Sequence, residues 1–151
     1  MHYWLMKSEP SELSIDDLAL LPNQTVEWFG VRNYQARNFM RDIMQDGDLG
    51  LFWHSSCKNP GIYGIVKVVG SAHPDSYQFN PASEYYDINS TSLNPRWWCV
   101  DVQLVKKINY LSIEKLRTYP ELANMQVLKK GNRLSVSTVS KTEWEFLMSL
   151  V

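Results

Sequence analysis

A chain of 151 residues suits one domain around one core, and 44% hydrophobic with 21% charged residues lies in the ordinary globular range. A net charge of -1 excludes a protein that coats nucleic acid through bulk positive charge, while leaving room for a few basic residues to read one nucleotide locally. No apolar run is long enough to span a bilayer, residues 1–7 lack a secretory pattern, and Cys57 and Cys99 form no CxxC pair, so the expectation is a cytoplasmic protein with no membrane contact, disulfide framework, metal site or cofactor.

Residues 3–7 alternate and predict a strand. Ser14 followed by Ile15-Asp16-Asp17 predicts a short capped helix with acids in its first turn. Val26-Glu27-Trp28 is a short extended piece closed by Gly30. Over 33–44, Ala36, Phe39, Met40, Ile43 and Met44 fall at i, i+3, i+4, i+7 and i+8, which predicts one helical face packed on the sheet. Asp46-Gly47-Asp48 is a turn signal, and 49–54 and 61–72 predict two strands. The stretch 73–95 is a long loop rich in Pro, Asn, Ser and Tyr, of the kind that is functional or covering. A long strand follows over 97–110 with Trp98, Val100, Val102 and Leu104 on one face. Ser112 repeats the capping chemistry of Ser14, Pro120 opens a further helical stretch toward Met125, and 134–139 predicts a strand. Ser140 and Glu143 form a capping box for a last helix that buries Trp144, Leu147, Met148 and Val151. Strands paired in sequence with helices at the periphery predict an α+β domain with a mostly antiparallel β-barrel.

Four segments are richer in polar and aromatic residues than a core requires: Lys7-Ser8-Glu9-Pro10, residues 28–38, Phe52 to Ser56, and Arg133-Leu134-Ser135-Val136. Each sits at a strand end or helix start, where pockets gather at the rim of a small barrel. Six tryptophans sharpen the question of which aromatics are core. Trp4, Trp98 and Trp144 lie on periodic apolar faces and read as core. Trp28, beside Gly30, fits either a pocket wall or a hydrophobic lid.

Taken with Tyr85-Tyr86-Asp87 and Pro95-Arg96-Trp97-Trp98, these segments resemble the signatures of the EVE domain family, a branch of the PUA-like superfamily. The strongest is Gly30-Val31-Arg32-Asn33-Tyr34-Gln35-Ala36-Arg37-Asn38; Tyr3 to Pro10, Phe52 to Ser55 and Asn132 to Val136 extend the likeness over nearly the whole chain. Two positions depart from the pattern: Phe29 stands where the family commonly has an acid, and Trp53 where Tyr or Phe is more usual. The resemblance implies that 1–151 is a single EVE domain with a PUA-like barrel, related to YTH domains that hold methylated adenine in RNA. It implies a non-enzymatic module for DNA or RNA carrying a modified base, such as methylated cytosine or adenine, in an aromatic pocket.

The residues themselves point the same way. A flat base needs an aromatic face, which Trp28 offers. Its edge needs fixed donors and acceptors, which Ser8, Asn33 and His54 supply, with Val31 and Ser55 completing the candidate ligand set. Lys7, Arg32, Arg37 and Arg133 are the candidate phosphate contacts, joined by the N–H groups of the helix starting near Asn33. Bland roles compete: His54 as a loop cap, Arg32 as an ion pair with Glu9 or Asp48, Arg133 likewise. Ser8, His54 and Asp48 are the residue types of a catalytic triad, yet no GxSxG elbow surrounds Ser8, and no Walker, GxGxxG or HExxH motif occurs. A protein–protein adaptor, motivated by the tyrosines of 73–95, and a small-molecule binder for a free nucleoside are the alternatives to the modified-base module.

Overall fold

The computed structural model describes residues 1–151. In chain order the elements are β1 (Tyr3–Ser8), α1 (Ile15–Leu20), β2 (Thr25–Glu27), α2 (Tyr34–Asn38), β3 (Leu49–His54), β4 (Gly61–Pro74), β5 (Trp98–Ser112), α3 (Ile113–Leu116), β6 (Val136–Val139) and α4 (Lys141–Ser149). The six strands form one sheet in the order β2-β5-β4-β3-β1-β6. Four of its pairings are antiparallel, and β1 runs parallel to β3 after a crossover through α1, β2 and α2.

The expected closed barrel is not formed. The edge strands β2 and β6 each pair with one neighbour and not with each other. Packing supplies the reason. A closed barrel has one interior, whereas this sheet has a core on each face. One core joins Trp4, Met6, Phe52, Val66, Val100 and Val102 to Leu18 of α1 and to Ala36 and Met40. The other joins Leu5, Leu51, Trp53 and Ile65 to Leu116 of α3 and to Trp144 and Leu147 of α4. Successive residues Trp4 and Leu5 thus serve opposite layers, as the two-residue period of a strand requires. Register shifts at Ile62/Gly64, Ile65/Val66 and Val69/His73 interrupt the β4–β5 ladder, and such irregularities bend a sheet into a roll without closing it.

Short-range chemistry sets the helix starts. The Ser14 and Ser140 hydroxyls each accept from the backbone N–H three residues on, at 3.0 and 3.1 Å, and their own backbone N–H groups donate back to the Asp17 and Glu143 carboxylates. Ser112 caps α3 through the Lys115 N–H at 3.1 Å. The helical stretch after Asn33 departs from the expected period. Past Asn38 it widens into a π turn over Phe39–Ile43, where the Met44 N–H donates to the Phe39 carbonyl at 2.9 Å. The extra residue per turn keeps Ala36, Met40 and Met44 buried at i, i+4 and i+8 and swings Ile43 to 41% exposure. Past Pro120 the chain forms two 3₁₀ turns, Pro120–Leu122 and Gln126–Leu128, instead of a continuous helix. Of the expected face of α4, Trp144 and Leu147 are buried and Met148 is half-buried against the same core, while Val151 is exposed.

His54 and Asp48 act inside the fold. Asp48 is 3% exposed and accepts from the Trp4 indole N–H at 3.1 Å, the Gln45 N–H at 3.0 Å and the His2 N–H at 3.2 Å. His54 stacks on Tyr63 and accepts the Ile15 N–H through Nε2 at 3.1 Å, which requires a neutral ring. Burial pushes the His54 imidazole below its ordinary value, against the opposing charges of Asp16 and Asp17. The contribution of this bond is therefore complete above the unfolded-state value of about 6.5 and is lost as pH falls through the lowered folded value. Urea melts at about pH 7 and at about pH 5 should show a smaller loss of stability in His54→Gln than in the parent chain. An equal loss in both would remove His54 from the acid response.

Candidate functional site

A cavity of about 600 Å³ opens where three strands end. Lys7, Ser8, Glu9, Glu12 and Leu13 come from the end of β1 and its following loop; Trp28, Phe29, Gly30, Val31 and Arg32 follow β2; Ser55 and Ser56 follow β3. Tyr85 arrives from the loop between β4 and β5, and Asn132, Arg133 and Ser135 precede β6. Strands from opposite edges of the sheet thus reach one hollow, which is what an unclosed roll permits.

Trp28 forms an apolar wall of this hollow and is only 4% exposed, because its ring also meets Phe52 edge-on at 5.4 Å within the core. The expected core position of Trp98 is taken by its neighbour: Trp98 is half-buried, while Trp97 is 7% exposed and stacks on Tyr34 at 5.0 Å. Gly30 adopts φ +81°, and a Cβ there would lie 2.7 Å from Tyr85 Cζ. Glycine is required on both counts. The Tyr85 hydroxyl donates to the Glu12 carboxylate at 2.6 Å, and burial followed by that bond pushes its ionisation well above the ordinary tyrosine value.

The sheet-end geometry gathers Lys7, Ser8, Trp28, Val31, Arg32, Ser55 and Arg133, and leaves three candidates out. Asn33 spends its amide oxygen on capping α2, accepting from the Ala36 N–H at 3.0 Å. That bond also occupies the helix start expected to face a phosphate. His54 is turned toward Ile15 and Tyr63. Arg37 donates to the Arg96 carbonyl at 2.9 Å and to the Asn38 side chain at 2.8 Å, with its guanidinium over the Tyr34 ring. Arg32 reaches the rim, but its partner is neither Glu9 nor Asp48. Nη1 donates to Asp75 at 3.0 Å and Nη2 to the Tyr85 carbonyl at 2.8 Å, so its role is that of a brace. The Lys7 ammonium donates to the Asn132 carbonyl at 3.3 Å, and burial holds its pKa below the ordinary lysine value. Arg133 stands exposed at the rim.

Several lining residues escaped the candidate set. Glu9, Tyr85, Asn132 and Ser135 fall in segments that carried the family resemblance, so a signal for them existed. Glu12 carried none, since its partner Tyr85 lies 73 residues away. Asp75, which organises the rim from behind, was equally silent.

A family model described as the EVE domain matches residues 2–150. The chain belongs to the EVE domain family. It is 42% identical to thymocyte nuclear protein 1 of Homo sapiens over 166 residues, which cover 98% of this chain and 73% of that one. The crystal structure of human THYN1 protein in complex with 5-methylcytosine-containing DNA superposes with a TM-score of 0.93 at 41% identity, covering 99% of this chain and 97% of that one. The YTH domain of a Zygosaccharomyces rouxii protein, solved with N6-methyladenosine RNA, has a TM-score of 0.56 at 13% identity over 99% of this chain and 85% of that one, a likeness of fold.

In this EVE domain the rim is tied together by Asp75, which is 1% exposed. Its carboxylate accepts from the Gly30 N–H at 2.8 Å, from Arg32 at 3.0 Å and from the Tyr77 N–H at 2.8 Å. Asp75→Ala should strand the Gly30 N–H and the Arg32 charge and lower stability by about 3 kcal/mol or more. Denaturant melts check this; a loss well under 1 kcal/mol would show that the carboxylate is dispensable.

Proposed function

We propose that this EVE domain is a non-enzymatic reader that holds a modified nucleobase of DNA in the cavity beside Trp28, with methylated cytosine as the preferred base. The observation that carries the reading is the cavity: a rigid aromatic wall backed by the core, with cationic side chains at the rim, in a chain 41% identical to a protein crystallised with 5-methylcytosine-containing DNA. About 600 Å³ lies within the range of ligand pockets and has room for a base together with part of its sugar. Trp28 supplies an aromatic wall for the base, Val31 the apolar contact suited to a methyl group, and Ser8 and Ser55 hydroxyls at the base edge. The Ser8 hydroxyl already donates to the Leu13 carbonyl at 2.7 Å, which leaves its lone pairs as acceptors. Carboxylates also suit a base that presents an exocyclic amine, and Glu9 brings one to the lining.

Lys7 and Arg133 are the cations left to meet flanking phosphates once Arg32 is committed to Asp75. A non-catalytic role is supported by the separation of the triad-like residues. Ser8 bonds Leu13, His54 bonds Ile15 and Asp48 bonds Trp4, in three unconnected systems. No helix is long and apolar enough to cross a membrane. Two free cysteines fit the reducing, cytoplasmic setting we assign to the reader.

Fluorescence titration with otherwise identical DNA duplexes carrying 5-methylcytosine or cytosine tests the reading. The methylated duplex should bind more tightly, and equal affinity would sink base recognition. Trp28→Leu should cost about 1–3 kcal/mol of binding, the scale of one stacked base, measured on protein shown to be folded.

Salt separates strand from free nucleoside. With two phosphate contacts, log affinity should fall against log salt with a slope of about -1 to -2, and Arg133→Gln should reduce that slope by roughly 1. A flat response would mean that the cavity takes a small molecule.

A further inference from the structure

Away from the cavity lining, Glu27, His73 and Cys99 bring one donor atom each to within 4.8 Å of the others. Register creates this meeting. His73 on β4 stands opposite Cys99 on β5, and Glu27 on β2 stands opposite Asp101, two residues further along β5. Cys99 and Asp101 therefore share a face of the sheet with both partners. Cys99 Sγ lies 3.6 Å from Glu27 Oε1 and 3.9 Å from His73 Nδ1. Zinc bonds of about 2.0 Å to nitrogen or oxygen and about 2.3 Å to sulfur, set at tetrahedral angles, put ligand atoms about 3.3–3.7 Å apart. The two sulfur distances are already near that spacing.

The surroundings match what a metal site needs beyond its ligands. His73 Nε2 lies 2.8 Å from Asp101 Oδ1, the carboxylate–histidine relation that orients an imidazole whose other nitrogen takes the ion. Glu27 is oriented too: its Oε2 accepts from the Ser76 hydroxyl at 2.8 Å, and the Ser76 N–H donates to Oε1. His73 Nδ1 is 2.9 Å from the Pro74 carbonyl, so coordination exchanges that contact for a bond to metal. Cys99 is 1% exposed and unpaired, while Glu27 and His73 are half-buried and leave an approach from solvent. A carboxylate, a thiol and an imidazole at this spacing favour a dication of borderline softness.

We propose that Glu27, His73 and Cys99 bind a divalent transition-metal ion of the zinc class, with water as the fourth ligand and Asp101 holding His73 from outside. The ion would clamp β2, β4 and β5 just before Trp28 and Asp75, two residues of the cavity's framework. The expectation of no metal site rested on the missing CxxC pair, a pattern that cross-strand register lies outside.

The purified chain titrated with Co²⁺, a spectroscopic substitute for Zn²⁺, tests it. A one-to-one complex should show thiolate charge-transfer absorption and the intense visible bands of tetrahedral cobalt, both displaced by Zn²⁺. Cys57→Ser should keep the signal and Cys99→Ser should abolish it. His73→Gln should weaken cobalt binding about ten-fold or more, and Asp101→Asn about ten- to hundred-fold. If Cys99→Ser does not fold, His73→Gln and Glu27→Gln still decide the matter through affinity. No charge-transfer band at stoichiometric cobalt, a band lost with Cys57 instead, or an affinity unchanged in both His73→Gln and Glu27→Gln overturns the proposal.

Discussion

The buried carboxylate of Asp75 is the constraint on which the cavity depends. The segment after β2 must turn sharply at Gly30 to present Trp28 and Val31, and a turn of that kind leaves backbone N–H groups needing partners. Asp75 takes the Gly30 N–H and the Arg32 guanidinium together, so the turn is held from a second element, the start of the long loop after β4. That loop is itself anchored. The Asp75 N–H donates to the Trp97 carbonyl at 3.0 Å, and Gln78, fully buried, donates to the carbonyls of Asp75 and Trp97 and accepts the Trp97 N–H. The chain between β4 and β5 is therefore a braced wall for the rim, with Tyr85 seated against the bare face of Gly30.

A second constraint comes from burial on both faces of the sheet. Two-sided cores make β1 and β3 apolar on successive residues and leave their ends as the place where polar groups emerge. The hollow is consequently built at strand ends, where side chains from separate strands converge without breaking a ladder. Its aromatic wall is part of the core and Lys7 is fixed in β1, while Arg133 stands exposed on the segment before β6, so only that outer charge is free to adjust.

Local chemistry was legible in the sequence, and distant partnership was not. The caps at Ser14, Ser112 and Ser140 are decided within three residues, and a pattern search finds them. Seven residues of the candidate site meet at the cavity because the ends of β1, β2 and β3 and the lead-in to β6 carry recognisable polar and aromatic segments. Asn33, His54 and Arg37 had suitable chemistry, but an amide, an imidazole and a guanidinium are placed by their partners. Two of those partners, Ile15 and the Arg96 carbonyl, lie 39 and 59 residues away. The π turn at Phe39–Ile43 defeated an assumed helical period, and barrel closure depended on whether β2 and β6 meet, which strand patterns do not encode.

The brevity of β2 has a consequence for self-association. It covers only Gln103, Val102 and Asp101 of β5, so the longer remainder of β5 is without a strand neighbour on that side. Open edges of that length invite another chain to add a strand and seed aggregates. Here the open run carries Lys106 and Lys107, both exposed, and Lys107 is paired with Asp16 of α1. An incoming strand would have to bury those ammonium groups or break that ion pair, so the charges act as gatekeepers on the one edge the fold leaves long.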